Sequence, residues 1–223
     1  MYAYTHKRAY RDLGNIDIRQ YLHHLADNTN HLYLHLPFCR SKCGFCNLFS
    51  LAGASSSDVD KYSDSVEQQL IHYGKPEQVQ QARFSSLVAG GRTSLLLNEQ
   101  QLERMFLSVE KYLPVEADNI YTVIETLPIF SDENKLGLIR NRGVNRISIG
   151  IQSFVAEEFK IFGRSHTVKQ SNEALERIKK AHFGELNVDL IYGIPQQTID
   201  SVCYSVNEAL SYQRKKYLSI LYI

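Results

Sequence analysis

A parallel α/β fold of about six strand–helix units is what this sequence predicts, and three observations carry the prediction. Apolar runs of strand length alternate with segments of helical periodicity about six times, which argues a parallel sheet with right-handed crossovers. The strand-like runs are nearly continuous in apolar residues, as suits a sheet covered on at least one face. The length, 223 residues, falls short of the about 250 that a closed eight-unit barrel takes, so six units fit better.

The first strand reads as His31 to Phe38, ended by Pro37 and a cysteine-rich segment. A helix follows from about Asp58 to Tyr73, with Val59, Tyr62, Val66, Leu70 and Tyr73 on one face. Phe84 to Gly91 is a second strand with glycines at its end, and Asn98 is a good N-cap for a helix to Tyr112. That helix carries Leu102, Met105, Phe106 and Val109 inward. Asn119 to Pro128 reads as a third strand, after which Ser131 caps a helix through Leu138 and Ile139. Asn145 to Phe154 is a fourth strand, followed by a helix from Val168 to Ala181. Glu185 to Pro195 is a fifth, stopped by glycine and proline. A helix near Thr198 to Gln213 puts Ile199, Val202, Val206, Ala209 and Leu210 on one face, with Cys203 packing there as a small hydrophobe. Tyr217 to Ile223 is a sixth strand. Residues 1–30 read as an irregular leader and residues 31–223 as one core domain.

Composition narrows the function classes. With 43% hydrophobic, 22% charged and 11% aromatic residues, the chain is of ordinary soluble type. A net charge of +1 gives no global electrostatic case for nucleic acid or an anionic membrane. No apolar run is long enough to span a bilayer, and the first residues lack the apolar core of a signal peptide, so a cytoplasmic location is expected.

In sheets of this kind chemistry gathers at the carboxyl ends of the strands. Here strand one ends in cysteines, strand two in Gly90-Gly91, strand three near Glu125 and strand four at Gln152, while strand five carries Asp189. Cys39, Cys43 and Cys46 form C-x3-C-x2-C. Three thiolates in one short loop can converge on one metal centre. An iron–sulfur cube held by three cysteines leaves one iron open to a ligand. A closed zinc site would need a fourth protein ligand, with His35 as the candidate. A redox dithiol would use only Cys43-Gly44-Phe45-Cys46 and leave Cys39 unexplained.

The stretch Tyr33-Leu34-His35-Leu36-Pro37-Phe38-Cys39-Arg40-Ser41-Lys42-Cys43-Gly44-Phe45-Cys46 resembles the signature of radical S-adenosylmethionine enzymes. More narrowly it resembles the oxygen-independent coproporphyrinogen III oxidase family, its haem-chaperone branch included. Matches continue in order: Ala89-Gly90-Gly91, Ile124-Glu125-Thr126, Gly150-Ile151-Gln152-Ser153-Phe154, Gly163-Arg164-Ser165-His166-Thr167 and Asp189-Leu190-Ile191-Tyr192-Gly193-Ile194-Pro195.

The resemblance implies a partial (β/α)6 TIM-like radical SAM barrel, lacking the family's carboxyl-terminal domain. It implies a [4Fe–4S] cluster on Cys39, Cys43 and Cys46 and one or two molecules of S-adenosylmethionine. Reductive cleavage of that cofactor would give a 5′-deoxyadenosyl radical that takes a substrate hydrogen, in the family from a porphyrinogen propionate. Tyr33, Phe45, Gly90, Gly91, Glu125, Gln152, Arg164 and Asp189 would line the cofactor site, and Ile223 would reach the adenine through backbone. No residue beyond the cluster is assigned a catalytic role, and His35 and His166 are left without one. The partners implied are a small-molecule substrate, a porphyrinogen or haem, and a reductase or flavodoxin-type electron donor. Each residue also has a plainer reading: Glu125 and Asp189 as solvated strand-end carboxylates, Gln152 as an interior hydrogen bonder, Arg164 as a surface charge, Tyr33 and Phe45 as core.

Three departures bear on function. Leu48 stands where the oxidase proper has a further cysteine. Ala89 replaces a glycine, adding a methyl where the cofactor approaches, and Arg92 puts a cation beside it. A haem-binding relative without decarboxylase activity, or an inactive truncated copy, is therefore the alternative.

Overall fold

Six runs rich in β-branched and apolar residues become six parallel strands. The computed structural model describes residues 14–26, 29–41, 43, 46, 49–91, 93–115, 119–163, 166–212 and 217–222. The strands are β1 (Thr29–His35), β2 (Arg83–Gly90), β3 (Tyr121–Thr126), β4 (Arg146–Gln152), β5 (Glu185–Tyr192) and β6 (Tyr217–Tyr222). They pair in sequence order within one 6-stranded sheet, as expected when each crossover moves the chain one strand onward in the same direction.

The crossovers hold helices α1 (Ser56–Gly74), α2 (Glu99–Tyr112), α3 (Glu133–Asn141), α4 (Ala156–Phe162), α5 (Val168–Lys180) and α6 (Ile199–Ser211). Short helical turns at Ile18–Tyr21 and His23–Ala26 stand in what reads as an irregular leader, and β1 starts at Thr29. No helix among the described residues is long and apolar enough to cross a membrane.

Capping chemistry fixes where the helices begin. Ser55, Asn98, Thr167 and Thr198 each accept from the backbone N–H three residues on, and that third residue's side chain accepts from the cap's own N–H. Ser131 is not the cap of α3. Asp132 holds that position, accepting from Lys135 N, while buried Ser131 donates to the Leu127 carbonyl at 3.0 Å.

The core lies between the sheet and the helices. Ile147, Ile149 and Ile151 of β4 and Val188 of β5 are fully buried, as are Leu136 and Ile139 of α3 and Ala174 and Leu175 of α5. Leu102, Met105, Phe106 and Val109 of α2 are all buried as expected. On α1 the inward stripe holds through Leu70, but Tyr73 is exposed and Gly74 is buried instead. On α6 the buried positions are Ser205 and Ala209, whereas Ile199 and Cys203 are exposed. Cys203 is two residues from Ser205, about 200° around the helix, so it faces away from the sheet rather than packing in the core.

A substitution on α2 measures how much this packing holds. Leu102→Ala, at a position with no solvent exposure, is expected to cost about 2–5 kcal/mol in urea unfolding. Leu107→Ala, on the exposed side of the same helix, is expected to stay within about 0.5 kcal/mol of the parent.

Candidate functional site

Because side chains alternate along a strand, the residues between those core positions line the other face of the sheet. The register aligns them into rows. His31, Ser86 and Tyr121 form one row across β1, β2 and β3. Tyr33, Val88, Val123, Arg146 and Glu185 form the next, across five strands. Above it His35 lies beside Gly90, and Glu125 beside Ser148 and Asn187. Gly150 and Asp189 share a further row with the position of Ser219. The helix-facing side of the strands is mostly apolar, with buried Thr122 and Thr126 of β3 among its exceptions, whereas this side is largely polar and glycine-punctuated.

The cysteine loop leaves the end of β1 through a narrow neck. Phe38–Cys39 pairs with Leu51–Ala52 as a parallel two-residue ladder. Leu51 N donates to the Pro37 carbonyl at 2.8 Å and Gly53 N to that of Cys39 at 3.1 Å. Phe38 is buried edge-on against Tyr62 of α1, and the Tyr62 hydroxyl donates to the His35 carbonyl at 2.6 Å. Cys39 and Cys43 are buried and Cys46 is half-buried, with Cys46 N donating to the Cys43 carbonyl at 3.1 Å. The three thiols share this one necked loop.

Beside this loop β2 ends in a cradle. Leu36 N donates to the Gly90 carbonyl at 2.7 Å, which ties the start of the loop to the glycines. A Cβ on Gly90 would stand 2.6 Å from the Glu125 carboxyl carbon. Gly91 has φ +108, and a Cβ there would stand 2.5 Å from His35 Nδ1. No other residue fits that position without displacement. Gly91 N donates to Glu125 Oε2 at 3.0 Å. Glu125 keeps some contact with solvent, yet burial raises its carboxyl above the ordinary range. The Gly91 N–H and the His35 and Arg146 charges pull the other way without prevailing.

Ala89 does not add its methyl to this cradle. It is fully buried in the core beneath the sheet, because it alternates with Gly90 along β2. Tyr33 is exposed rather than core, its hydroxyl 3.0 Å from His35 Nδ1. Phe49, also exposed, stands 6.5 Å from the His35 ring.

Gln152 ends β4 at a register shift, with φ +76, outside the usual range for a side chain with a Cβ. Holding it there costs about 1–3 kcal/mol. Among the described residues its buried Oε1 has no hydrogen-bond partner, and neither do His35 Nε2 and Thr93 Oγ1. All three lie at or just past the carboxyl ends of strands, where they are available to pair with water or a ligand. Asp189 accepts from Asn187 Nδ2 at 2.7 Å and from Ser148 Oγ at 3.3 Å.

The strand ends therefore gather Tyr33, Gly90, Gly91, Glu125, Gln152 and Asp189 on one mouth beside the three cysteines. Phe45 and Arg164 lie outside the described residues, as do Leu48, Arg92 and Ile223. His166 is buried edge-on against Phe159, 5.1 Å between ring centres.

Ser148 and Asn187 were not singled out from sequence, although the signal was present. In Arg146-Ile147-Ser148-Ile149-Gly150-Ile151-Gln152 and Glu185-Leu186-Asn187-Val188-Asp189, polar or glycine residues alternate with apolar ones at the period of a strand.

These residues fit a cluster and a nucleotide-like cofactor: soft thiols in one loop, a cradle that a Cβ would fill, and unpaired buried polar atoms around it. Comparison with known proteins points the same way. Residues 33–209 match the family described as the Radical SAM superfamily. The heme chaperone HemW of Bacillus subtilis is 30% identical over 189 residues, covering 83% of this chain and 48% of that one. The oxygen-independent coproporphyrinogen III oxidase of Pseudomonas aeruginosa is 30% identical over 202 residues, covering 86% and 43%. Among solved structures, coproporphyrinogen III oxidase (HemN) from Escherichia coli superposes with a TM-score of 0.82 at 26% identity, covering 93% of this chain and 48% of that one. The chain thus spans about half the length of these relatives.

Proposed function

Since the chain belongs to the radical SAM superfamily, whose cofactors are a [4Fe–4S] cluster and S-adenosylmethionine, we propose that its concave mouth binds both and works on a tetrapyrrole. The observation that carries this reading is the cradle of Gly90, Gly91 and Glu125 set against the neck of the cysteine loop. Cys39, Cys43 and Cys46 hold the iron as thiolates. When bound, the cluster and S-adenosylmethionine together supply one-electron cleavage of the sulfonium and hence a carbon-centred radical.

The chain's own residues do the rest. Gly90 and Gly91 let the backbone approach the cofactor. Glu125 and Asp189 accept from its ammonium or hydroxyl groups, and Gln152 meets it with an unpaired carbonyl oxygen. Tyr33 offers an exposed ring at the mouth. The core that residues 31–223 build around these groups takes its electron from a reductase or flavodoxin-type donor. The substrate in this reading is a porphyrinogen, whose propionate would give one hydrogen atom to that radical and so yield 5′-deoxyadenosine.

The test is reductive cleavage of S-adenosylmethionine by anaerobically reconstituted protein. 5′-Deoxyadenosine is expected with the parent, while Cys43→Ala loses both the product and the visible absorption of the cluster. No product from a protein with a fully loaded cluster would overturn the catalytic reading. A second reading is favoured by Leu48, which stands where the oxidase proper has a further cysteine: the chain binds or delivers haem and oxidises nothing. Haem binding without deoxyadenosine formation would select it.

A further inference from the structure

Behind the mouth, on the same face of the sheet, three side chains form a closed triangle of which the cofactor reading uses only Asp189. The Asn187 amide spends both of its hydrogens, one on Ser148 Oγ at 2.9 Å and one on Asp189 Oδ1 at 2.7 Å. The Ser148 hydroxyl, having accepted from Asn187, donates to Asp189 Oδ2 at 3.3 Å. Asn187 is buried to within 2% of its surface and Ser148 to within 9%. Each oxygen of Asp189 thus has its own neutral donor, one from its own strand and one from the strand beside it.

A lone aspartate at a strand end rotates about two side-chain bonds. One gripped at both oxygens by groups on two paired strands has its plane fixed. Two buried polar side chains in the middle of apolar strands also cost stability unless fully paired. Here they pair with each other and with Asp189, so the arrangement is consistent as a support.

We propose that Asn187 and Ser148 are positioning residues that fix the Asp189 carboxylate against the concave wall, so that it meets the hydroxyl or ammonium groups of bound S-adenosylmethionine in one orientation. The proposal rests on the reading that the mouth binds that cofactor. The two residues touch neither cofactor nor substrate themselves; they act through Asp189.

Asn187→Asp gives the sharpest test. It nearly preserves shape but sets a second carboxyl where the amide now donates. Two carboxyl groups that close share a proton at low pH and repel when both ionise. The shared proton restores a hydrogen bond between positions 187 and 189. The charged groups on the neighbouring strands are Glu125 of β3, Arg146 of β4 and Glu185 of β5, with Tyr217 and Tyr222 at register positions on β6. All are common to parent and variant, so a pH difference between the two belongs to position 187.

The experiment is equilibrium dialysis of labelled S-adenosylmethionine against the reconstituted full chain at about pH 6 and about pH 8, alongside thermal unfolding of the same samples. Asn187→Asp is expected to bind about tenfold more weakly than the parent at the higher pH and to recover most of that loss at the lower. Ser148→Ala, which removes the longer bond alone, is expected to bind about two- to threefold more weakly at both. Asp189→Asn should weaken binding at both.

Parent-like affinity in both Asn187→Asp and Ser148→Ala would overturn the proposal. So would a loss in Asn187→Asp that follows its unfolding temperature and ignores pH, because a merely structural role gives that pattern. If Asn187→Asp fails to fold, Ser148→Ala decides alone, and parent-like affinity there overturns it. If the parent binds no S-adenosylmethionine, or Asp189→Asn binds as well as the parent, the reading of the mouth itself fails and takes the proposal with it.

Discussion

Gly91→Ala is expected to weaken S-adenosylmethionine binding by about tenfold or more, which at 1.4 kcal/mol per decade asks for little beyond the strain it introduces. The backbone at φ +108 is poorly suited to any residue with a Cβ, and forcing alanine into such a region costs about 1–3 kcal/mol. The new methyl would also stand 2.5 Å from His35 Nδ1, 2.6 Å from its Cε1 and 3.2 Å from Tyr33 Oη. His35 cannot yield alone, because its Nδ1 is bonded to that same tyrosine. Either that pair moves or the backbone shifts, and the backbone carries the N–H that Glu125 accepts.

Gly90→Ala is the informative comparison. The three atoms nearest its methyl would all belong to the carboxyl end of Glu125, and the far end of a side chain can turn aside. A smaller loss is expected there, read by the same dialysis and by the unfolding temperature of the cluster-free protein. Parent-like binding by Gly91→Ala would mean that the cradle is a turn and nothing more.

How much of this was legible in the sequence depends on which residues carried the signal. The strand order and the alternation with helices followed from apolar runs and turn residues, which act locally. The start of α2 was readable because Asn98 and Gln101 cap each other and Leu102, Met105, Phe106 and Val109 repeat at helical spacing. The start of α3 was misplaced by one residue because Ser131 and Asp132 are both good N-caps. Only the fold shows that Ser131 is already committed to the Leu127 carbonyl, and that its own carbonyl accepts from Arg177 of α5. Helix α4 went unread: it is 7 residues long and its first turn has no capping side chain. Which face of α6 meets the sheet was set by where β5 and α6 dock, so the apolar stripe through Ile199 and Leu210 misled about Cys203.

At the site the same division holds. Cysteine spacing and the residues at strand ends are local signals, and they point to the end of the sheet where those residues stand. The direction of Ala89, the exposure of Tyr33 and the grip on Asp189 depend on which face of each strand is covered by helices. The alternation of isoleucines in β4 did contain that information. Reading the strands as continuously apolar hid it.

Glu125→Gln is expected to move stability and binding in opposite directions, and that opposition separates a binding residue from a structural one. Burial is the largest influence on Glu125 and holds its folded carboxyl above the ordinary value that the unfolded chain keeps. Between those two values the folded chain carries more of the proton than the unfolded chain does. Stability from this group therefore falls as pH rises from the unfolded value through the folded one, and above it the full cost of a crowded charge is present. Glutamine has the same shape and no charge, and its oxygen can still accept from Gly91 N. The variant should unfold at a higher temperature than the parent near neutral pH, with the difference closing as pH falls below the unfolded value. The same change removes the charge that an ammonium or hydroxyl would meet. A hydrogen bond to a charged group is worth about 1.5–3 kcal/mol, so S-adenosylmethionine binding should weaken by about tenfold or more. Unfolding curves across pH and dialysis at neutral pH read the two effects separately. A variant that melts lower than the parent near neutral pH and binds just as well would make Glu125 a fastener of the Gly91 turn. A carboxylate kept where it destabilises the fold and weakens binding when neutralised is instead a group held in place for its ligand.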